Sequence, residues 1–214
     1  MKFVDAPRNN SVTLIAALAH ARHLYRDILG FDTLLADSAH DNYPTYDLCR
    51  HWGISPIIPL NNRSDNKLQV DGLRLSSNGV PVCADGHEML NWGFDKTKYR
   101  IKYRCPMVTG KLRNCPFDDS CNKTHYGKTL YLRLASNLRL LTPVPRDSEQ
   151  WRNLYKQRSA SERVNNRILT DYQLEQPKRY GKNKLAFLAF CNAINVHLDA
   201  QIACIPTRIS DLIT

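Results

Sequence analysis

Apolar residues recur at helical spacing through the segment SVTLIAALAHARHLYRDILG. Leu14, Leu18, Ala21, Leu24, Tyr25 and Ile28 share one face, Ser11 suits the N-cap and Gly30 the stop, so a helix is expected over 11–30. The pattern then shortens. Thr33 to Ala36 is a brief apolar run ending in an acid, Asp37, and reads as a buried strand. Pro44 and YDLCRHWG open and close a second helix with Gly53 as C-cap, and Ile57 and Ile58 centre another short strand. This helix–strand–helix–strand order argues for an α/β sheet with strands buried on both faces.

From about Asn61 to Pro145 the apolar runs stay short, and Gly, Pro, Asn and Cys are frequent. KYRIKYRC alternates in the period of a strand, and Leu130 to Leu141 reads as a strand pair, so this region is expected to be a β-rich insertion. Helical spacing returns from Asp147 to Leu169, with Asp147 or Ser148 as N-cap, and again from Lys184 to Ala203. The expected organisation is a core begun by residues 1–60, an inserted β-rich subdomain over 61–145, and a helical return to the core over 146–214.

Composition narrows the function. An apolar fraction of 43% is enough for a packed core. No run of eighteen apolar residues occurs and the start lacks a secretory pattern, so neither a membrane-spanning helix nor export is expected, and a cytoplasmic protein is. Net charge is +10, which favours a polyanionic partner such as nucleic acid. One basic cluster holds Lys96, Lys98, Arg100, Lys102, Arg104, Lys111 and Arg113, with Tyr99 and Tyr103 among them. A second begins at Arg146 and runs through Arg152, Lys156, Arg158, Arg163 and Arg167 to Lys184, with Trp151, Tyr155 and Tyr180. Cations can meet phosphates while aromatic rings stack on bases.

Two places invite chemistry. Asp37 ends a buried strand, where α/β sheets place active-site acids, and it equally suits a cap for the following turn. On one helix face, Tyr155, Arg158 and Glu162 fall at i, i+3 and i+7. That trio reads either as a solvated Arg–Glu pair or as a set that grips phosphate and holds a divalent cation. An acid on a strand end, an acid on a later helix and a basic chain together fit metal-assisted phosphoryl transfer.

Asp37 followed by Tyr155-x2-Arg158-x3-Glu162, within the flanking segments APRNNS, LLADSAHDNYPTYDL, ISPIIPLNNR and WRNLYKQRSASERVNNRIL, resembles the bacterial insertion-sequence transposases of the DDE class with the Tyr-Arg-Glu-Lys signature. The resemblance covers nearly the whole chain and identifies it with the C-terminal portion of the catalytic domain. It implies a partial ribonuclease-H-like fold interrupted by the Cys-containing β-rich insertion. It also implies metal-dependent DNA strand cleavage and transfer. Asp37 and Glu162 would be magnesium ligands in a two-ion site, while Tyr155 and Arg158 would contact DNA. The expected partners are transposon ends and target DNA, with a homodimer or higher oligomer as an open alternative to a monomer, and no membrane.

The chain departs from the family pattern at three places. The family's first Asp is not found, since Asp5 lies too near the first helix. Leu169 occupies the position of the family Lys, with Arg167 as a partial substitute for DNA contact, and Asn9-Asn10 stands where His-Asp is common. A truncated, inactive chain is therefore expected. Cys83, Cys105, Cys115 and Cys121, with 21, 9 and 5 residues between them, make a candidate zinc site, because thiols of a reduced cytosolic protein suggest metal before disulfides and a β-rich insertion is expected to have little core of its own. Small buried hydrophobes are the plainer account of the same cysteines. Two further readings stay open: a non-catalytic DNA-binding transposase remnant, and a zinc-stabilised nucleic-acid-binding module.

Overall fold

The computed structural model describes residues 10–25, 27–61, 68–108, 115, 121, 126–176 and 181–204. They fall into two compact units. One is Asn9–Lys156; the other takes its described residues from Gln157 onward.

The first unit opens with helix α1 (Asn10–Tyr25), which starts before Ser11 and stops five residues short of Gly30. Leu14 and Leu18 pack into a core, whereas Leu24, Tyr25 and Ile28 are exposed, so the apolar face expected over the full length is buried only in its first half. Strand β1 (Thr33–Leu35) and strand β2 (Ser55–Ile57) pair in parallel, with helix α2 (Tyr43–Trp52) as the crossover. The α2 ends are those expected of its sequence. Asn42 caps the start by accepting from the Thr45 amide, Pro44 sits in the first turn, and Gly53 ends the helix in the left-handed region at φ 70°. Leu34, Ala36, Tyr46, Cys49, Ile54 and Ile58 form the core of this layer. Burial pushes the Cys49 thiol up to about 11.

The β-rich region is present and builds a core of its own. Strands β3 (Gln69–Val70) and β4 (Leu73–Arg74) form a short hairpin, and β5 (Leu90–Asp95), β6 (Arg100–Arg104) and β7 (Thr129–Arg133) form an antiparallel sheet in sequence order. Leu60, Val70, Leu75, Val80, Met89, Ile101, Tyr103, Leu132, Leu134, Leu140 and Leu141 pack together beneath it. The expectation of a subdomain short of apolar core is thus overturned, because the alternate residues of β6 and β7 and the turn after β7 all face inward. The strand pair expected over Leu130–Leu141 is one strand only. Asn137 accepts from the amides of Arg139 and Leu140, and this side-chain turn replaces a second strand.

The long helix expected over Asp147–Leu169 is interrupted. Helix α3 (Glu149–Lys156) is capped by Ser148, whose hydroxyl accepts from the Trp151 amide, so Ser148 and not Asp147 is the N-cap. Gln157 is a turn residue, and helix α4 (Arg158–Asn166) begins anew with the Ala160 amide on the Gln157 carbonyl. A π-helical turn, Arg167–Asp171, follows. Helix α5 (Lys182–Cys204), 23 residues, is long and apolar enough by length and composition alone to cross a membrane, a test that core helices of soluble proteins also pass. Its apolar positions are broken by Asn192, Asn195, His197 and Asp199, which is why no unbroken run marks it in the sequence. Its polar residues are engaged within the second unit: Asp199 accepts from Arg167 and from the Tyr172 hydroxyl, and Asn192 donates to the Tyr172 carbonyl.

Candidate nucleic-acid interface and catalytic carboxylates

Strand alternation sorts the first basic cluster into two classes. Ile101 and Tyr103 point into the core, each 1% exposed, so Arg100, Lys102 and Arg104 lie on the opposite face of β6. On β7 the residues directly across from them are Arg133, Tyr131 and Thr129. Tyr103 is therefore a core residue and not a stacking platform, and its burial raises its hydroxyl pKa. The exposed rings of this face are Trp92, Tyr131 and Tyr126. Cations lie over them: Arg100 is 4.1 Å from the Tyr131 centroid, Arg104 is 4.3 Å from that of Trp92, and Lys102 is 5.9 Å from Tyr131. A β-bulge between Asn91 and Gly93 sets Trp92 apart from the regular ladder. Sequence reasoning named the cations but missed these rings, although strict alternation from Ile101 would have excluded Tyr103 and selected Tyr131.

Beside this face, Asn91, Trp92, Gly93, Asp147, Ser148 and Gln150 contribute to a cleft of about 580 Å³. Burial holds the Asp147 carboxyl above the usual carboxylate range, with Glu88 adding repulsion.

The second basic cluster divides as well. Arg146 is 8% exposed and spends its donors on the carbonyls of Ile58, Leu140 and Arg139 and on the Tyr46 hydroxyl. It holds the fold and is not a surface cation. Lys111, Arg113, Lys178, Arg179 and Tyr180 lie outside the described residues, as does Asp5.

Asp37 follows β1 and is exposed. Its Oδ1 accepts from the Ala39 amide at 3.0 Å and lies 3.8 Å from His40 Nε2. The capping role suggested by its position is thus filled, and an exposed carboxylate remains at the strand end. Nearby Asp41 is a different kind of acid: fully buried, it takes Arg139, the Tyr46 hydroxyl and the Asn61 amide.

Tyr155 lies on α3 and stacks on Trp151, with ring centroids 4.8 Å apart. Arg158 and Glu162 lie on α4 and form an ion pair at 2.9 Å. Within the second unit Arg158 and Glu162 share a face of α4 as an i, i+4 pair. Arg167 is paired with Asp199 at 2.6 Å.

Cys83, Cys105, Cys115 and Cys121 all line one small cavity of about 20 Å³, together with Asp85 and Lys128. Among the described residues, no three Cys, His, Asp or Glu donors already stand at the spacing of a bound metal ion.

A family model described as the transposase DDE domain matches residues 82–198, more than half of the chain. The chain belongs to this transposase family. Membership makes transposition its general function and DNA its partner. The matched stretch takes in the cation-bearing sheet, all four clustered cysteines and Glu162, whereas Asp37 lies upstream of it. No curated protein and no solved structure matches the chain.

Proposed function

We propose that this chain contributes to metal-dependent DNA strand cleavage and transfer in transposition. In this reading β1, α2 and β2 belong to a ribonuclease-H-like core, and the β5–β7 sheet belongs to an insertion that holds DNA. The observation that carries the proposal is the family match over 82–198, within which Glu162 and the basic, aromatic sheet face both fall.

Asp37 and Glu162 are assigned as magnesium ligands. Their donor chemistry fits, since both are exposed carboxylates and hard cations take oxygen ligands. Bound magnesium would neutralise charge on the attacking and leaving oxygens of an in-line displacement at phosphorus. The remaining work falls to the chain's own side chains. The Ala39 amide fixes the orientation of the Asp37 carboxylate, and Arg158 fixes that of Glu162. Tyr155, Arg158 and Arg167 are assigned to the DNA backbone near the cut. Arg100, Lys102, Arg104 and Arg133 would meet phosphates, with Trp92 and Tyr131 offering stacking faces for unpaired bases.

The test is nicking of plasmid DNA carrying the element's own ends, with magnesium. Because the chain lacks the family's first Asp, it should bind DNA by itself and nick only when a polypeptide supplying that Asp is added, whereas Asp37→Asn and Glu162→Gln should bind DNA with unchanged affinity and not nick even then. A second reading, DNA binding without cutting, is favoured by the ordinary structural duties of the two carboxylates, a turn cap and a surface ion pair. Salt-sensitive binding without any nicking even when the missing Asp is supplied would select it.

A further inference from the structure

We propose that Cys83, Cys105, Cys115 and Cys121 bind a structural zinc ion, independently of the catalytic reading. Four of the chain's seven cysteines, drawn from positions far apart in sequence, line one cavity of about 20 Å³. A single water-sized occupant requires roughly 10–15 Å³, so the space suits one ion and little else. Simple burial does not explain the cluster, because Cys83, Cys115 and Cys121 are only half-buried while Cys105 alone is buried. The cavity sits at the edge of the apolar core beneath β5–β7: Cys83 packs against that core and its Met89 also lines the cavity.

Two of the four donors are set by backbone that is already fixed. Cys83 begins a tight turn: its amide donates to the His87 carbonyl, its carbonyl accepts from the Gly86 amide, and Gly86 takes φ 81°. Cys105 directly follows β6, and its amide donates to the Lys128 carbonyl. Cys115 and Cys121 come from the stretch between β6 and β7. An ion at this cavity would therefore tie Cys115 and Cys121 to Cys83 and to Cys105 at the end of β6. Asp85 also lines the cavity, but its Oδ2 is paired with His87 Nε2 at 3.2 Å, which leaves the four sulfurs as the donor set. Four sulfurs favour zinc, which accepts tetrahedral thiolate coordination without redox chemistry. On binding, each thiol releases its proton to solvent, leaving two net negative charges around the dication, and Lys128 on the cavity wall offsets part of them. No three donors are yet at ion spacing, so binding would draw the sulfurs inward.

The test uses the full chain, purified under reducing conditions with zinc and passed through a desalting column. Metal analysis should find one zinc per chain, and replacement by cobalt(II) should give the intense sulfur-to-metal absorption of a tetrahedral thiolate site. Cys115→Ala and Cys121→Ala should weaken retention against a competing chelator roughly tenfold or more, Cys115→His should restore much of it, and Cys204→Ala should change nothing. Sub-stoichiometric zinc with no cobalt–thiolate band in the unaltered chain overturns the proposal without reference to any variant's folding. Equal loss of zinc in Cys204→Ala, or isolation of the four cysteines as disulfides under the same conditions, overturns it too. None of these readouts involves DNA cleavage, so the zinc site and the catalytic assignment can fail separately.

Discussion

Arg139 clasps Asp41 across 98 residues of sequence, with Nη2 at 2.6 Å and Nε at 3.0 Å from the same carboxylate oxygen. The acid is wholly buried and the guanidinium nearly so. Tyr46 and the Asn61 amide complete the carboxylate's partners, and Arg146 reaches the same Tyr46 hydroxyl. This network joins the α2 layer to the turn that follows β7. Removing one partner strands a buried charge, so Arg139→Ala is expected to destabilise the chain by about 3–5 kcal/mol in urea unfolding. A loss under about 1 kcal/mol would mean the pair behaves as a surface contact.

Gly79 is fixed by both conformation and space. Its φ is 75°, and an added Cβ would meet the Leu140 carbonyl oxygen at 3.0 Å. Gly79→Ala should cost roughly 1–3 kcal/mol from the backbone conformation alone. Gly72→Ala, at φ 77° but with open space around it, should cost less; equal losses at both sites would remove the steric part of the argument.

Asp147 predicts a pH dependence. Burial raises its pKa in the folded chain, so the folded state holds its proton to higher pH than the unfolded state does. Its contribution is fully present below the unfolded carboxylate value and declines as pH rises through the folded value. Asp147→Asn should therefore stabilise the chain at neutral pH relative to the parent and flatten the decline above the carboxylate range. An unchanged stability–pH curve in the variant would contradict the assignment.

The sheet face predicts how DNA is held. Affinity should fall with salt at a log–log slope of about −0.7 per phosphate contacted on single strands. Lys102→Ala should reduce that slope by about one contact. Trp92→Ala should weaken single-stranded binding by about 1–3 kcal/mol and leave the slope alone. Tyr103→Phe should not affect binding at all, because Tyr103 is in the core. A Tyr103→Phe defect equal to that of Trp92→Ala would refute this division of labour.

The Arg158–Glu162 pair is half-exposed, so it is worth little to folding. Arg158→Ala should change stability by about 0.5 kcal/mol or less. If the pair serves DNA positioning, the same variant should lose nicking out of proportion to that change, and a parallel loss of both would leave it a purely structural contact.

What the sequence determined by itself was local. Alternating and helical periodicities located β1, α2, β2 and α5, because end signals such as Pro44 and Gly53 act within a few residues of themselves. The flanking segments around Asp37 and Glu162 were enough to indicate the transposase family, and the matched family bears that out. The sequence also singled out the four cysteines as a group, but not that they share a cavity. Tertiary structure decided the rest. Whether a cation is a surface group or a buried clamp depends on partners far along the chain, so Arg146 and Arg104 look alike in sequence and differ in place. Tyr103 and Tyr131 likewise differ only in which side of the sheet they occupy. The turn at Asn137 follows from side-chain hydrogen bonds that compete with a strand, and no periodicity registers that competition.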